Sequence, residues 1–290
     1  MWNHNLTPRH PYEVVSVNYL VNANGAITFL VKTNVYYEFP YHDAGQKPYD
    51  GSGKYYGRLI NYTLGPPRDV GQQTMLWYPL NFDKDNQRAW SYTPGQRRVR
   101  LAPEFAYDTP SAQLGGTVYY DELNMFLGRM DRFNFELKGK QMMYMPYNNY
   151  RLNLIRDPKE ALGPNHVNPD KVRWEQRRVW VVEATSVPGK RHVASKKRYY
   201  IDEDTWIILA YEAWDHSDKL FRVNFAFLGT DYANGAALDF SSAMAAHDLS
   251  RGQYSVVQSQ FDKDANFRVG IPRRLDAEVS PTQLGSRGIR

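Results

Sequence analysis

Residues 196–228 read KKRYYIDEDTWIILAYEAWDHSDKLFRVNFAFL. Apolar and polar side chains alternate through Lys196–Ile201, Thr205–Trp214 and Leu220–Leu228, the period of a half-buried β-strand. Between these runs stand Asp202-Glu203-Asp204 and Asp215-His216-Ser217-Asp218, whose short polar side chains bond their own backbone and favour turns. Three strands joined by two tight turns make an antiparallel meander. Phe221, Val223, Phe225 and Phe227 give its last strand one wholly apolar face. Such a face has to be buried against another layer, so the fold class is mainly β.

The same period extends outward. Upstream it predicts strands at Tyr12–Val21, 27–39, Arg58–Leu64, Gln72–Tyr78, Gln87–Tyr92, Arg97–Leu101, Phe133–Lys138, Gln141–Tyr147 and Trp174–Thr185. Downstream it predicts Gln253–Gln260. Asn24-Gly25 suits a type I′ hairpin turn, Gly139-Lys140 a second turn, and Gly45 to Gly57 a loop. Tyr119, Leu123, Phe126 and Met130 form one apolar stripe at helical spacing, with Asp121 and Glu122 in the first turn, where they favour the helix dipole. A second short helix is expected over Phe240–Leu249. Neither an internal repeat nor a linker stands out, so 1–272 reads as one domain and 273–290 as an extended or mobile tail. A meander of about ten to twelve strands has to curl or close to hide its edges. The expected architecture is a large curved antiparallel sheet, an incomplete β-barrel, with one or two lid helices.

Composition narrows the function classes. The chain has 290 residues, enough for one sizeable core, and no Cys, which removes disulfides and thiolate chemistry. Aromatics make up 14%, with Tyr the most frequent, as suits half-buried sheet faces and wet cavities. A net charge of +5 is too mild for a nucleic-acid footprint. No apolar run approaches the ~20 residues of a membrane helix, and Met1-Trp2-Asn3-His4-Asn5 does not begin a signal peptide.

Catalytic signatures are weak. There is no Gly-x-Ser-x-Gly elbow, and Gly51-Ser52-Gly53 reads as flexible loop. The seven His are scattered with no two at metal-ligand spacing. Asp121-Glu122 and Asp202-Glu203-Asp204 read as solvated helix-start and turn acids, since adjacent residues point apart. Lys190-Arg191-His192 and Lys196-Lys197-Arg198 read as charged edge positions that block aggregation. No catalytic residue, metal or cofactor is expected.

The binding candidates are apolar. Trp77, Trp90, Tyr92, Trp180, Trp206 and Trp214 sit on predicted strands, as do Phe29, Met143 and Met145. Leu123 and Phe126 belong to the proposed lid, Tyr119–Met130. Met and aromatic side chains accommodate varied apolar ligands, and an open barrel of about eleven strands is too wide for its own side chains to fill. The expected ligand is a lipid or other hydrophobic small molecule.

Four stretches carry a family resemblance. They are Asn86–Arg100 (NQRAWSYTPGQRRVR), Met143–Asn148 (MYMPYN), Trp174–His192 and Arg198–Asp215. Together they resemble an uncharacterised proteobacterial domain-of-unknown-function family grouped with outer-membrane lipoprotein-sorting proteins. The resemblance implies a fold like the lipoprotein carriers LolA and LolB, in which an incomplete barrel wraps a hydrophobic cavity. It implies a periplasmic monomer whose signal peptide and N-terminal segment are missing from this chain. It also implies work beside a resistance-nodulation-division-type exporter and an outer-membrane protein. Competing expectations are an enzyme acting on envelope polysaccharide and a structural module that binds an exporter without a small ligand.

Overall fold

The computed structural model describes residues 1–5, 10–42, 55–81, 85–101, 107–127, 129–232, 236–238 and 243–285. The loop expected from Gly45 to Gly57 lies largely outside them. The first strands are β1 (Tyr12–Val21), β2 (Ile27–Glu38), β3 (Tyr55–Gly65), β4 (Gln73–Pro79), β5 (Arg88–Thr93) and β6 (Arg98–Leu101). Then come β7 (Phe133–Pro146), β8 (Trp174–Ser186), β9 (Lys196–Asp202), β10 (Ile208–Trp214) and β11 (Leu220–Ala226). The last are β12 (Gly229–Asp231), β13 (Ala236–Leu238), β14 (Met244–Asp248), β15 (Gln253–Ser259) and β16 (Asn266–Val269).

One antiparallel sheet runs β6-β5-β4-β3-β2-β1-β15-β14-β11-β10-β9-β8-β7, with β16 also pairing with β1. β12 and β13 form a separate hairpin. The sheet is open, with β6 and β7 at its ends. Both ends carry cations that discourage further pairing, Arg98 and Arg100 on one and Lys138 and Lys140 on the other. The sheet wraps its contents. Leu123 and Met130 pack both against Tyr12, Val35 and Leu59 of the first half and against Ala184, Tyr199 and Tyr211 of the second.

Both faces are covered over the middle of the sheet. The inner face meets residues 107–127. The outer face of β1, β14 and β15 meets a segment bearing Leu152, Ala161, Leu162, Val167 and Val172. The outer face of β2–β5 (Tyr36, Ile60, Met75, Tyr92) meets Ile271, Val279 and Leu284. Residues 273–285, read from sequence as a tail, thus bury Val279 and Leu284 on the sheet. Gly285, at φ +88°, lies against the Tyr92 ring where a Cβ would sit 2.5 Å from a ring carbon.

Several elements differ from the sequence reading. Met244–Asp248 is a strand, not a helix. Both its faces are buried, so the alternation that marks a strand is absent, and its alanines suggested helix. Phe133–Pro146 is one strand, not two, because Gly139 at φ +108° is taken up as a bulge in the pairing with β8. Between β1 and β2, Gly25 alone has positive φ and its N–H bonds Asn22 O. That is a type I turn closed by a left-handed glycine, where type I′ was expected. Residues 119–130 are not an α-helix. Only a 3₁₀ segment forms over Tyr120–Met125, broken by Leu123 (φ −57°, ψ 139°) and Asn124 (φ 54°, ψ 32°).

Candidate ligand-binding cavity

The covering segment is held by its own turns and by partners far away in sequence. The 3₁₀ turn Ala112–Leu114 sits against β1 and β2, and Tyr120–Met125 against β10 and β11. At the kink, His4 Nδ1 accepts the Ile208 N–H (3.2 Å), which puts its proton on Nε2, and Nε2–H donates to Asn124 O (2.7 Å). Further back, Asp108 accepts the Val193 N–H at 2.8 Å.

The kink turns two carboxylates into the sheet. Asp121 Oδ2 accepts from Lys197 Nζ (2.6 Å) and from His192 Nε2 (2.9 Å), and all three side chains are buried. The Ala194 N–H donates to His192 Nδ1, which fixes that tautomer. Glu122 lies 3.3 Å from Arg222, whose guanidinium is also 3.7 Å from Asp248 and 4.7 Å from the Tyr119 ring centre. Burial alone would raise the Asp121 pKa, but Lys197 and His192 outweigh it and hold the carboxyl below its ordinary range. Burial likewise opposes charge on Lys197, yet Asp121 holds its pKa above the usual lysine value. These residues tie the covering segment to β9, β11 and β14. They correct the sequence reading of Asp121-Glu122 as solvated acids, and of Lys197 and His192 as edge charges. Asp202, too, is fully buried, holding Arg177 and Thr205. Each of these residues has a partner distant in the chain, and local patterning carries no signal of it.

Beside this latch, between the covering segment and β2–β5, lies a cavity of about 330 Å³. Strand register organises its floor. Asn61 pairs with Thr74 and Thr74 with Ser91, which makes one polar row across β3, β4 and β5. Two residues along each strand, Leu59, Leu76 and Ala89 make an apolar row. Leu114, Leu123, Met125 and Leu127 form the roof, with Met244 and Val257 at the inner wall.

Of the residues singled out from sequence, Leu123 and Tyr92 border this cavity, and the Tyr92 ring also belongs to the outer-face cluster. The others lie elsewhere. Trp77 and Trp90 pack edge to face, 4.9 Å apart, among the outer-face residues that meet Val279 and Leu284. Met143 and Met145 pack on the outer face with Val179 and Leu209. Phe126 is buried in the inner core, edge-on to Phe135 and Tyr199. Trp180 stacks on half-exposed Trp206, and Lys140 lies 4.1 Å over the Trp180 ring centre. Trp214 is covered by Lys196 and Arg198, and Phe29 is exposed beside Tyr19.

The reason is parity. On β5, bulky Trp90 and Tyr92 point outward, leaving Ala89, Ser91 and Thr93 inside. Space opens where side chains are small. Asn61, Thr74 and Ser91 were missed because attention to large aromatics selects the filled face.

Comparison with known proteins agrees with this geometry. A crystal structure of a DUF1329 family protein from Desulfovibrio piger superposes with a TM-score of 0.62 at 14% identity, covering 97% of this chain and 94% of that one. A putative outer membrane lipoprotein-sorting protein domain from Vibrio parahaemolyticus gives 0.58 at 11% identity, covering 94% and 91%. The LolA superfamily protein NE2245 from Nitrosomonas europaea gives 0.51 at 10%, covering 96% and 94%. These likenesses show the fold, a large open antiparallel sheet of LolA type. The uncharacterized protein PA3922 of Pseudomonas aeruginosa is 34% identical over 229 residues, which is 78% of this chain and 49% of the relative. The chain therefore spans about half the length of that curated relative. Residues 1–284 match the family described as "Protein of unknown function (DUF1329)", and the chain belongs to that family.

Proposed function

We propose that this protein is a carrier that holds a hydrophobic molecule in the cavity between residues 107–127 and the inner face of β2–β5. The observation that carries the reading is the cavity itself, about 330 Å³ under a roof of Leu114, Leu123, Met125 and Leu127. That volume is at the lower end of the ~300–1,000 Å³ of small-molecule sites, so it suits a single modest ligand. At ~0.8 kcal/mol per buried methylene, a ten-carbon chain gains roughly 8 kcal/mol before ordering costs.

Binding is favoured over polysaccharide hydrolysis. The inner-face carboxylates Asp121, Glu122 and Asp248 are engaged by Lys197, His192 and Arg222, and none lines the cavity. The fold shared with a lipoprotein-sorting domain and a LolA superfamily protein supports a carrier of a hydrophobic molecule; a periplasmic setting beside an exporter and an outer-membrane protein is part of the proposal. Among the described residues, no helix is long and apolar enough to cross a membrane.

The test is organic extraction and mass spectrometry of protein purified without detergent, with native mass spectrometry for stoichiometry. A single recurring hydrophobic species at about one per chain is expected. Preparations that are repeatedly empty and take up no neutral apolar dye would overturn the carrier reading.

A further inference from the structure

The cavity wall has a chemical bias that the carrier reading does not require. Among its described lining residues there is no Asp, Glu, Lys, Arg or His. Its polar groups are neutral amides and hydroxyls, chiefly Asn61, Thr74, Ser91 and Gln87. The register sets Asn61, Thr74 and Ser91 in one row and Leu59 and Leu76 in the next, about 7 Å along the strands, with Gln87 beyond it. Two acceptors are left over. Asn61 Oδ1 and Gln87 Oε1 are both buried and have no hydrogen-bond partner within the protein. A buried acceptor without a partner is costly; a ligand hydroxyl or amide that reached either oxygen by a small side-chain rotation would offset that cost.

We propose that the ligand is an uncharged amphiphile bearing a hydroxyl or amide group. Its neutral head meets the Asn61–Thr74–Ser91 row, and its apolar body lies on Leu59 and Leu76 beneath Leu123 and Met125. This rests on the carrier reading and names its ligand class. A hydroxyl both donates and accepts, so it satisfies Asn61 Oδ1 while bonding the Thr74 or Ser91 hydroxyl. A carboxylate or phosphate finds no cation among the described lining residues and leaves water without compensation. The cationic side chains of the inner face, Lys197 and Arg222, are committed to Asp121 and Glu122 and do not line the cavity. The charge-free wall therefore selects by rejecting anions as well as by holding the neutral head.

The experiment uses the whole chain and equilibrium displacement of the neutral dye N-phenyl-1-naphthylamine. The competitors, at pH 8, are 1-dodecanol, 1-monolauroylglycerol and dodecanoate. The neutral compounds are expected to displace the dye at concentrations at least tenfold below dodecanoate. N61L/T74V, which keeps the apolar row, is expected to retain dye binding while losing at least tenfold in dodecanol affinity and gaining nothing for dodecanoate. Circular dichroism and S91A, expected to lose several-fold, guard against misfolding of the double variant. Dye binding with dodecanoate equal to or better than the alcohol overturns the neutral-head assignment and leaves the carrier reading standing. Failure of the dye to bind at all overturns both.

Discussion

Replacing Lys197 with Met tests whether the covering segment is latched by buried charge. The Lys197 side chain is 2% exposed and Asp121 6%, with 2.6 Å between Nζ and Oδ2. Removing the cation leaves a buried carboxylate with His192 as its remaining polar partner, and breaking such a pair costs about 3–5 kcal/mol. An unfolding entropy of ~2.1 cal/mol/K per residue over 290 residues gives roughly 0.6 kcal/mol/K, so Tm should fall by about 5–8 °C. If the segment opens locally first, the loss appears in it alone. Thermal unfolding should therefore be read together with hydrogen exchange by mass spectrometry over residues 107–127. Adding Asp121→Asn should restore most of the stability, because the orphaned charge goes too and an amide can still meet His192. A Tm change below about 2 °C for Lys197→Met, with exchange of 107–127 unaltered, would refute the latch.

Three further outcomes are expected. His247 donates through Nδ1 to Val223 O and stacks on Tyr254, and burial pushes its pKa below the ordinary value. The unfolded chain then takes up the proton first, so stability is complete above pH ~6.5 and declines as pH falls from there through the lowered folded-state pKa. His247→Gln should flatten that decline in urea midpoints measured between pH 7.5 and 5. Val279→Ala should cost about 1.6 kcal/mol at ~0.8 kcal/mol per methylene, plus a cavity contribution, since Val279 is fully buried on the outer face; an unchanged urea midpoint would mean that residues 273–285 do not dock there. Gly139→Val places a β-branched side chain at φ +108° and should cost about 1–3 kcal/mol in chemical denaturation, although nothing lies near its Cβ.

The strand period was legible where one face of a strand meets solvent and opaque where both faces are covered. Trp174–Ser186 alternates and was found nearly to the residue; Tyr12–Val21, covered on both faces, was found from its flanking turn and β-branched residues. Met244–Asp248 is covered from both sides and lost its period. Asn266–Val269 was missed because four residues are too few to establish one. The stripe at Tyr119, Leu123, Phe126 and Met130 was a true sign of burial but a false sign of helix. The chain there breaks at Leu123 and Asn124, with Asp121 and Glu122 held by Lys197 and Arg222 on one side and Leu123 and Met125 over the cavity on the other. Lys197 is 76 residues from Asp121, so no local window could reveal that it is an interior cation. The cavity was expected from the width of the sheet; of the side chains expected at its walls, Leu123 and Tyr92 border it and the others pack elsewhere.

Latch and cavity share one short stretch of chain, and this sets how a ligand can leave. Asp121 and Glu122 turn into the ion pairs, while Leu123 and Met125, within four residues, roof the cavity. Lifting this part of the cover breaks two desolvated pairs together, each at a cost comparable to a large part of the ligand's own burial energy. At the opposite end, among the described residues, the turn Ala112–Leu114 is held by neutral hydroxyl bonds from Thr117 and Ser255 to Leu114 O and by no ion pair. There Gln113 is exposed and Gln72 and Thr93 are half-buried, beside the short turn Ala112–Leu114. Exchange should pass that turn while the latch stays closed. Two variants separate the routes. Lys197→Met should speed hydrogen exchange at 119–125 yet alter the dye on-rate by less than about threefold. Gln113→Trp, at the open end, should slow dye entry at least tenfold without changing Tm. A latch variant that accelerates entry more than the mouth variant slows it would place the door on the other side.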